Sequence, residues 1–130
     1  MKTKLIVISA ILLCSFINAF AQKAEPLRIQ FARGKTSANL SGTLSNNQEM
    51  HYVFGAKAGQ KISLKVTSQP KGNFFDFDLQ GDNFELSTEY DYYTNYSFTA
   101  PETGDYFVFV RKRPTENTTK AKFFLTLTIK

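Results

Sequence analysis

The sequence predicts an all-β fold, an antiparallel β-sandwich of jelly-roll type with about seven to nine short strands. Three observations carry that reading. Apolar residues recur at every second position in run after run, turn-forming residues separate the runs at short intervals, and no window beyond residue 21 carries a capped apolar stripe of helical period. In chain order, "MHYVF" sets Tyr52 and Phe54 against His51 and Val53, and "KISLKVTS" sets Ile62, Leu64 and Val66 against Ser63, Lys65 and Thr67. "FFDFDLQ" alternates Phe75, Phe77 and Leu79 with Phe74, Asp76 and Asp78, which puts the two carboxylates on a solvent face. "YFVFV" is apolar on both faces, as in a central strand covered on both sides or one bearing an exposed patch. "FFLTLTIK" points Phe123, Leu125, Leu127 and Ile129 inward and Phe124, Thr126 and Thr128 outward. The expected turns are Arg33-Gly34, Ser41-Gly42, Asn46-Asn47, Ala58-Gly59, Pro70-Lys71-Gly72, Gly81-Asp82-Asn83, 101–104 and 114–117.

Ahead of this pattern, "MKTKLIVISAILLCSFINAFA" places Lys2 and Lys4 before an apolar run and ends in the small-x-small site Ala19-Phe20-Ala21. That is the plan of a secretory signal peptide, residues 1–21, cleaved after Ala21. The apolar run is shorter than a membrane span needs, so the expected product is a periplasmic or secreted protein with no membrane anchor. The remaining residues, 22–130, make one domain. The single cysteine, Cys14, leaves with the signal, so the mature chain forms no disulfide and depends on packing, much of it by phenylalanine and tyrosine.

Processing lowers the formal charge from +5 to +3, because Lys2 and Lys4 leave and every acid stays. The distribution says more than the sum. Residues 22–71 are strongly basic, residues 72–105 hold eight acids and no Lys or Arg, and residues 106–130 are basic again. Such asymmetry bears on partners and steering rather than on fold.

No Gly-x-Ser-x-Gly elbow, phosphate loop, dinucleotide fingerprint or His-rich metal motif is present, and the mature chain holds one histidine, His51, and no cysteine. These absences point to a protein without catalytic residues. Asp76 and Asp78 share a strand face, an arrangement open to acid-base chemistry but equally produced by a solvated face. Asp76, Asp78 and Asp82 are also candidate oxygen ligands for Ca²⁺, although the spacing is no EF-hand and the default expectation is no cofactor. Tyr90, Tyr92 and Tyr93, with Tyr96, lie in "STEYDYYTNY" among acids and no cation. They offer either a recognition surface or core packing, and the local charge argues against nucleic acid. Arg111-Lys112-Arg113 ends a strand, where cations either guard a sheet edge or, at Arg113 ahead of Pro114, present a guanidinium to a carboxylate.

"RIQFARGKTSANLSGTL", "YVFGAKAGQKISLKV", "FTAPETGDYFVFV" and "FFLTLTIK" together resemble the periplasmic inhibitors of g-type (goose-type) lysozyme. More broadly they resemble the pre-peptidase C-terminal β-sandwich domains. The resemblance covers nearly the whole mature chain. It implies a non-enzymatic protein whose loops enter the lysozyme cleft, with a g-type lysozyme as partner. Carried over by position, a turn hydroxyl falls on Thr103, where the family has Ser, and a loop arginine falls on Arg113, with Arg111 in support. A second family arginine falls on Asn117 and a family tyrosine on Asn47, so the chain departs from the pattern at both. The broader resemblance implies the alternative, a module binding polysaccharide or peptidoglycan through its tyrosines. A calcium-stabilised structural domain is a third expectation. Oligomeric state is not legible in the sequence.

Overall fold

The computed structural model describes residues 25–82 and 94–130. The expected signal peptide and Tyr90, Tyr92 and Tyr93 lie outside the described residues. The strands are β1 (Leu27–Arg28), β2 (Ser37–Ser45), β3 (Glu49–Ala56), β4 (Lys61–Gln69), β5 (Phe75–Gly81), β6 (Asn95–Thr99), β7 (Gly104–Lys112) and β8 (Lys120–Ile129). They form two four-stranded sheets, ordered β1-β3-β7-β5 and β2-β8-β4-β6. Every pairing is antiparallel except the short parallel contact of β1 with β3. The described residues contain no helix.

The alternations in the sequence become the inner faces of the sandwich. Phe54, Ile62, Leu64, Phe77, Leu79, Tyr106, Val108, Val110, Phe123, Leu125 and Leu127 are all fully buried. Phe54 stacks on Tyr106 with centroids 5.4 Å apart, and the ring of Phe123 meets Phe75 edge-on at 5.5 Å and Tyr52 at 6.4 Å. Each such ring contributes about 1.5–3 kcal/mol through burial, which is how a domain without disulfides holds together. The Tyr106 hydroxyl donates to the Glu102 carbonyl at 2.6 Å, so its burial leaves no polar atom stranded.

Three features depart from the sequence expectations. Ser41-Gly42 is no turn but lies inside β2, where a Cβ at Gly42 would stand 2.9 Å from the Phe123 ring. Glycine is needed there for close approach, not for chain reversal. Asp76 and Asp78 are buried rather than solvated, at 0% and 3% exposure. Lys112 is fully buried too, although it sits between two arginines in a cationic run.

The expected turns at Asn46-Asn47 and Ala58-Gly59 reverse the chain through left-handed residues, Asn47 at φ 65° and Gly59 at φ 90°. Asparagine is one of the few side-chain-bearing residues that accepts that conformation readily.

Candidate functional site

Strand register places the candidate residues at two opposite ends of the sandwich. Glu49 faces Arg111 and Phe75 faces Lys112, so the β2–β3 turn, the β4–β5 loop and the β7–β8 loop gather where β7 ends. Ala56 faces Gly104, which puts the β3–β4 and β6–β7 turns where β7 begins. Asn47, Arg113 and Asn117 therefore share the first end. Thr103 belongs to the second, about 30 Å away along the nine residues of β7.

Lys112 organises the first end. Tyr106, Val108 and Val110 point inward, and the same two-residue period turns Lys112 inward at the rim of the core. Its ammonium donates to Asn46 Oδ1 at 2.9 Å, the Arg113 carbonyl at 2.6 Å and Thr115 Oγ1 at 3.2 Å, and it lies 5.2 Å from the centroid of the Phe74 ring. Asn46 extends the tie: its Nδ2 donates to the Thr115 carbonyl at 2.9 Å, and its Oδ1 accepts the Thr115 N–H at 3.2 Å. Thr115 Oγ1 donates to the Thr118 carbonyl, and the Asn46 N–H to that of Thr119 at 2.9 Å. The Asn47 N–H donates to the Lys112 carbonyl at 2.9 Å, so the β2–β3 turn and the β7–β8 loop are cross-linked around one cation. The result is a pair of loops with little freedom to lose on binding, which favours affinity.

No carboxylate neutralises that cation among its described contacts. Burial first, and then the Arg113 charge, push the Lys112 pKa down from its ordinary 10.5. An unfolded chain then binds the proton more tightly than the folded one, so the Lys112 penalty is complete below the folded pKa and fades as pH rises towards 10.5. Tyr52, whose pKa burial raises above 10.0, acts in the opposite sense above that pH. The expected result is that wild type gains stability relative to Lys112→Met as pH climbs from neutrality towards 10, read from urea midpoints of both proteins. A constant difference would show an unshifted lysine.

Arg113 is half-buried beside this cluster, its N–H bonded to the Phe74 carbonyl at 2.8 Å and its Nη1 to the Asn73 carbonyl at 3.2 Å. A guanidinium has five donors, so these contacts position the group as well as engage it. Asn47 and Asn117 are exposed. Arg111 faces the opposite side of β7 from Lys112 and is committed to Asp76, with Nε 3.2 Å from Oδ1 and Nη2 2.9 Å from Oδ2. That bidentate pairing is how a carboxylate came to be buried on what the sequence presents as a solvent face. Asp78 is held by Gln80 Nε2 at 2.7 Å.

At the second end Thr103 is exposed, and its Oγ1 accepts the Ala58 N–H at 2.9 Å, stitching the β6–β7 turn to the β3–β4 turn. Asp82 is also at that end, just past the close of β5, with its N–H on the Asp105 carbonyl at 3.0 Å. No group of three or more potential metal-ligating His, Cys, Asp or Glu side chains comes together among the described residues. His51 Nε2 lies 2.9 Å from Glu49 Oε2, and its ring meets Phe109 edge-on at 4.6 Å. Tyr96 is half-buried and stacks on Phe98 at 5.5 Å.

Sequence reasoning missed Lys112 and its partner Asn46. The signal was available: continuing the Tyr106, Val108, Val110 alternation by one step lands on Lys112.

No protein-family model matches the chain, and no curated protein matches it significantly. Solved structures do. PliG of Aeromonas hydrophila, a periplasmic lysozyme inhibitor of g-type lysozyme, superposes with a TM-score of 0.64 at 21% identity, covering 85% of this chain and all of that one. The PliG of Salmonella Typhimurium gives 0.62 at 24% identity, covering 83% of this chain and all of its own. The pre-peptidase C-terminal domain of a Bacillus anthracis collagenase gives 0.56 at 18% identity, covering 84% of this chain and 98% of that domain. At these identities the likeness is one of fold: the chain is built on the β-sandwich shared by the periplasmic inhibitors of g-type lysozyme and a pre-peptidase C-terminal domain.

Proposed function

We propose that this chain is a periplasmic, non-enzymatic binding protein that inhibits a g-type lysozyme, with the Lys112-centred end of the sandwich entering the enzyme's cleft. The observation that supports this reading is that the match in fold spans the whole length of two solved inhibitors. Geometry adds support. Inhibition by cleft-blocking needs no catalytic set; it needs stiff protruding loops and donors for an acidic cleft, and the loops around Asn47, Arg113 and Asn117 supply both. Export fits the signal peptide expected over residues 1–21, with cleavage after Ala21 as part of the proposal. No described helix is long and apolar enough to cross a membrane.

In this reading Arg113 meets a carboxylate of the enzyme, and Asn47 and Asn117 flank it where the family has larger or charged groups; Thr103, at the other end of β7, stands outside this contact. Arg113→Ala is expected to weaken inhibition about tenfold or more, the effect of losing one charge-assisted contact at an interface centre, while shifting the thermal midpoint little. The test is a titration of g-type lysozyme activity beside a melting curve. Equal loss of both would make Arg113 a structural residue and move the contact elsewhere.

A second reading rests on the likeness to the collagenase domain and on the outer face of β7. There Phe107 and Phe109 lie parallel, centroids 6.3 Å apart, beside His51. In that reading the face stacks on polysaccharide or peptidoglycan. Pull-down on insoluble peptidoglycan without lysozyme separates the two, because only the glycan-binding module sediments with the wall.

A further inference from the structure

β2 is an edge strand, paired with β8 on one side. The bonds from the Ile129 N–H to the Thr36 carbonyl and from the Asn46 N–H to the Thr119 carbonyl fix which residues exchange hydrogen bonds across that pair. Counting by twos between them, Ala38, Leu40, Gly42 and Leu44 turn their backbone groups to β8, while Ser37, Asn39, Ser41 and Thr43 turn theirs away. Ser45, next in the outward row, is capped: Gln48 Oε1 accepts its N–H at 2.8 Å, and its carbonyl accepts the Gln48 N–H at 3.0 Å. Among the described residues nothing bonds the outward groups of the other four, and all four residues are exposed.

The remaining sheet edges are blunted in familiar ways. β1 is two residues long, with Arg28 clamped to Asp105 at 2.8 Å. β6 is five residues long, and β5 carries the carboxylates of Asp76 and Asp78. β2 has nine residues, no charge and no proline. A long neutral edge with open backbone groups is a template for another strand.

We propose that this edge pairs antiparallel with β2 of a second copy about a two-fold axis at Leu40, joining two four-stranded sheets into one. The strand is self-complementary in that register. Ser37 faces Thr43 of the other copy and Asn39 faces its Ser41, so every open donor and acceptor of the four residues is used, with no like charges opposed. Leu40, left half-buried at the rim of the core, meets its own counterpart, and Ala38 faces Gly42. An isologous contact of this kind closes at the dimer. One strand edge buries less area than a standard interface, so the dissociation constant is expected on the order of tens of micromolar.

Sedimentation velocity of the exported, purified protein from about 5 to 500 µM tests this. The expected result is a monomer–dimer transition for wild type, a monomer throughout for Ser41→Lys with unchanged circular dichroism, and a retained dimer for Ser63→Lys, a cation of the same kind on an inner strand. Register is tested by oxidation of single-cysteine variants of the exported protein: Leu40→Cys is expected to yield a covalent dimer and Thr43→Cys none. A wild type that stays monomeric over the whole range, or a dimer that survives Ser41→Lys, overturns the proposal. A dimer dissolved by Ser41→Lys but not trapped at position 40 overturns the register.

Discussion

Arg111→Ala is expected to destabilise the fold by about 3–5 kcal/mol, the cost of stranding a buried charge. Asp76 is fully enclosed, and Arg111, 31% exposed at its side chain, is the cation that meets both of its oxygens. Removing the guanidinium leaves a buried carboxylate without its counter-charge, and that uncompensated burial costs stability. The thermal midpoint should fall by more than about 10 °C for a domain of this size. Replacing both partners with apolar groups, as in Arg111→Met with Asp76→Leu, should recover most of the loss, because what is expensive is the unpaired charge rather than the missing attraction. Urea unfolding of the two variants checks this. A single-variant loss below about 1 kcal/mol would mean that the pair behaves as a surface salt bridge.

Lys112→Ala is expected to cost about 2–4 kcal/mol and, in the proposed function, to weaken lysozyme inhibition about tenfold or more. The stability loss comes from the vacated apolar stem and from the Arg113 carbonyl, which loses the ammonium 2.6 Å away. The loss of inhibition follows because Asn46, Arg113 and Thr115 are tied through one Nζ atom, and freeing them makes ordering of the 113–119 loop a cost of binding. Lys112→Met refills the stem without the donors. It should restore stability more than inhibition, and this split is what separates a positioning residue from a packing residue. Parallel recovery of both would make Lys112 a core residue only.

The sandwich was legible in the sequence wherever one face of a strand is core. The alternations at Ile62, Leu64 and Val66, at Phe75, Phe77 and Leu79, and at Phe123, Leu125 and Leu127 each became an inner face. Turn chemistry read well where a left-handed residue reverses the chain, as at Asn47 and Gly59. It misled at Gly42, where the glycine makes room for Phe123, a contact made across the β2–β8 pair and invisible to local pattern. Burial of Asp76 depends likewise on pairing β5 with β7, which sets Asp76 opposite Arg111 across 35 residues of chain.

The candidate site was legible as residues but not as an arrangement. Arg113, Asn47 and Asn117 were each singled out, yet their convergence depends on the order of strands in the sheets. The same order sends Thr103 to the far end of β7. Lys112 alone could have been found locally, by trusting the two-residue period of β7 over the look of a charge cluster.

The most direct test of the proposed function is lysis of a peptidoglycan suspension by g-type, c-type and i-type lysozymes, each with and without the purified protein at equimolar and tenfold excess. Selective protection against the g-type enzyme is the predicted result. Unimpeded lysis by the g-type enzyme at tenfold excess would contradict the inhibitor reading, while leaving the sandwich and its Lys112-centred loop end as they stand.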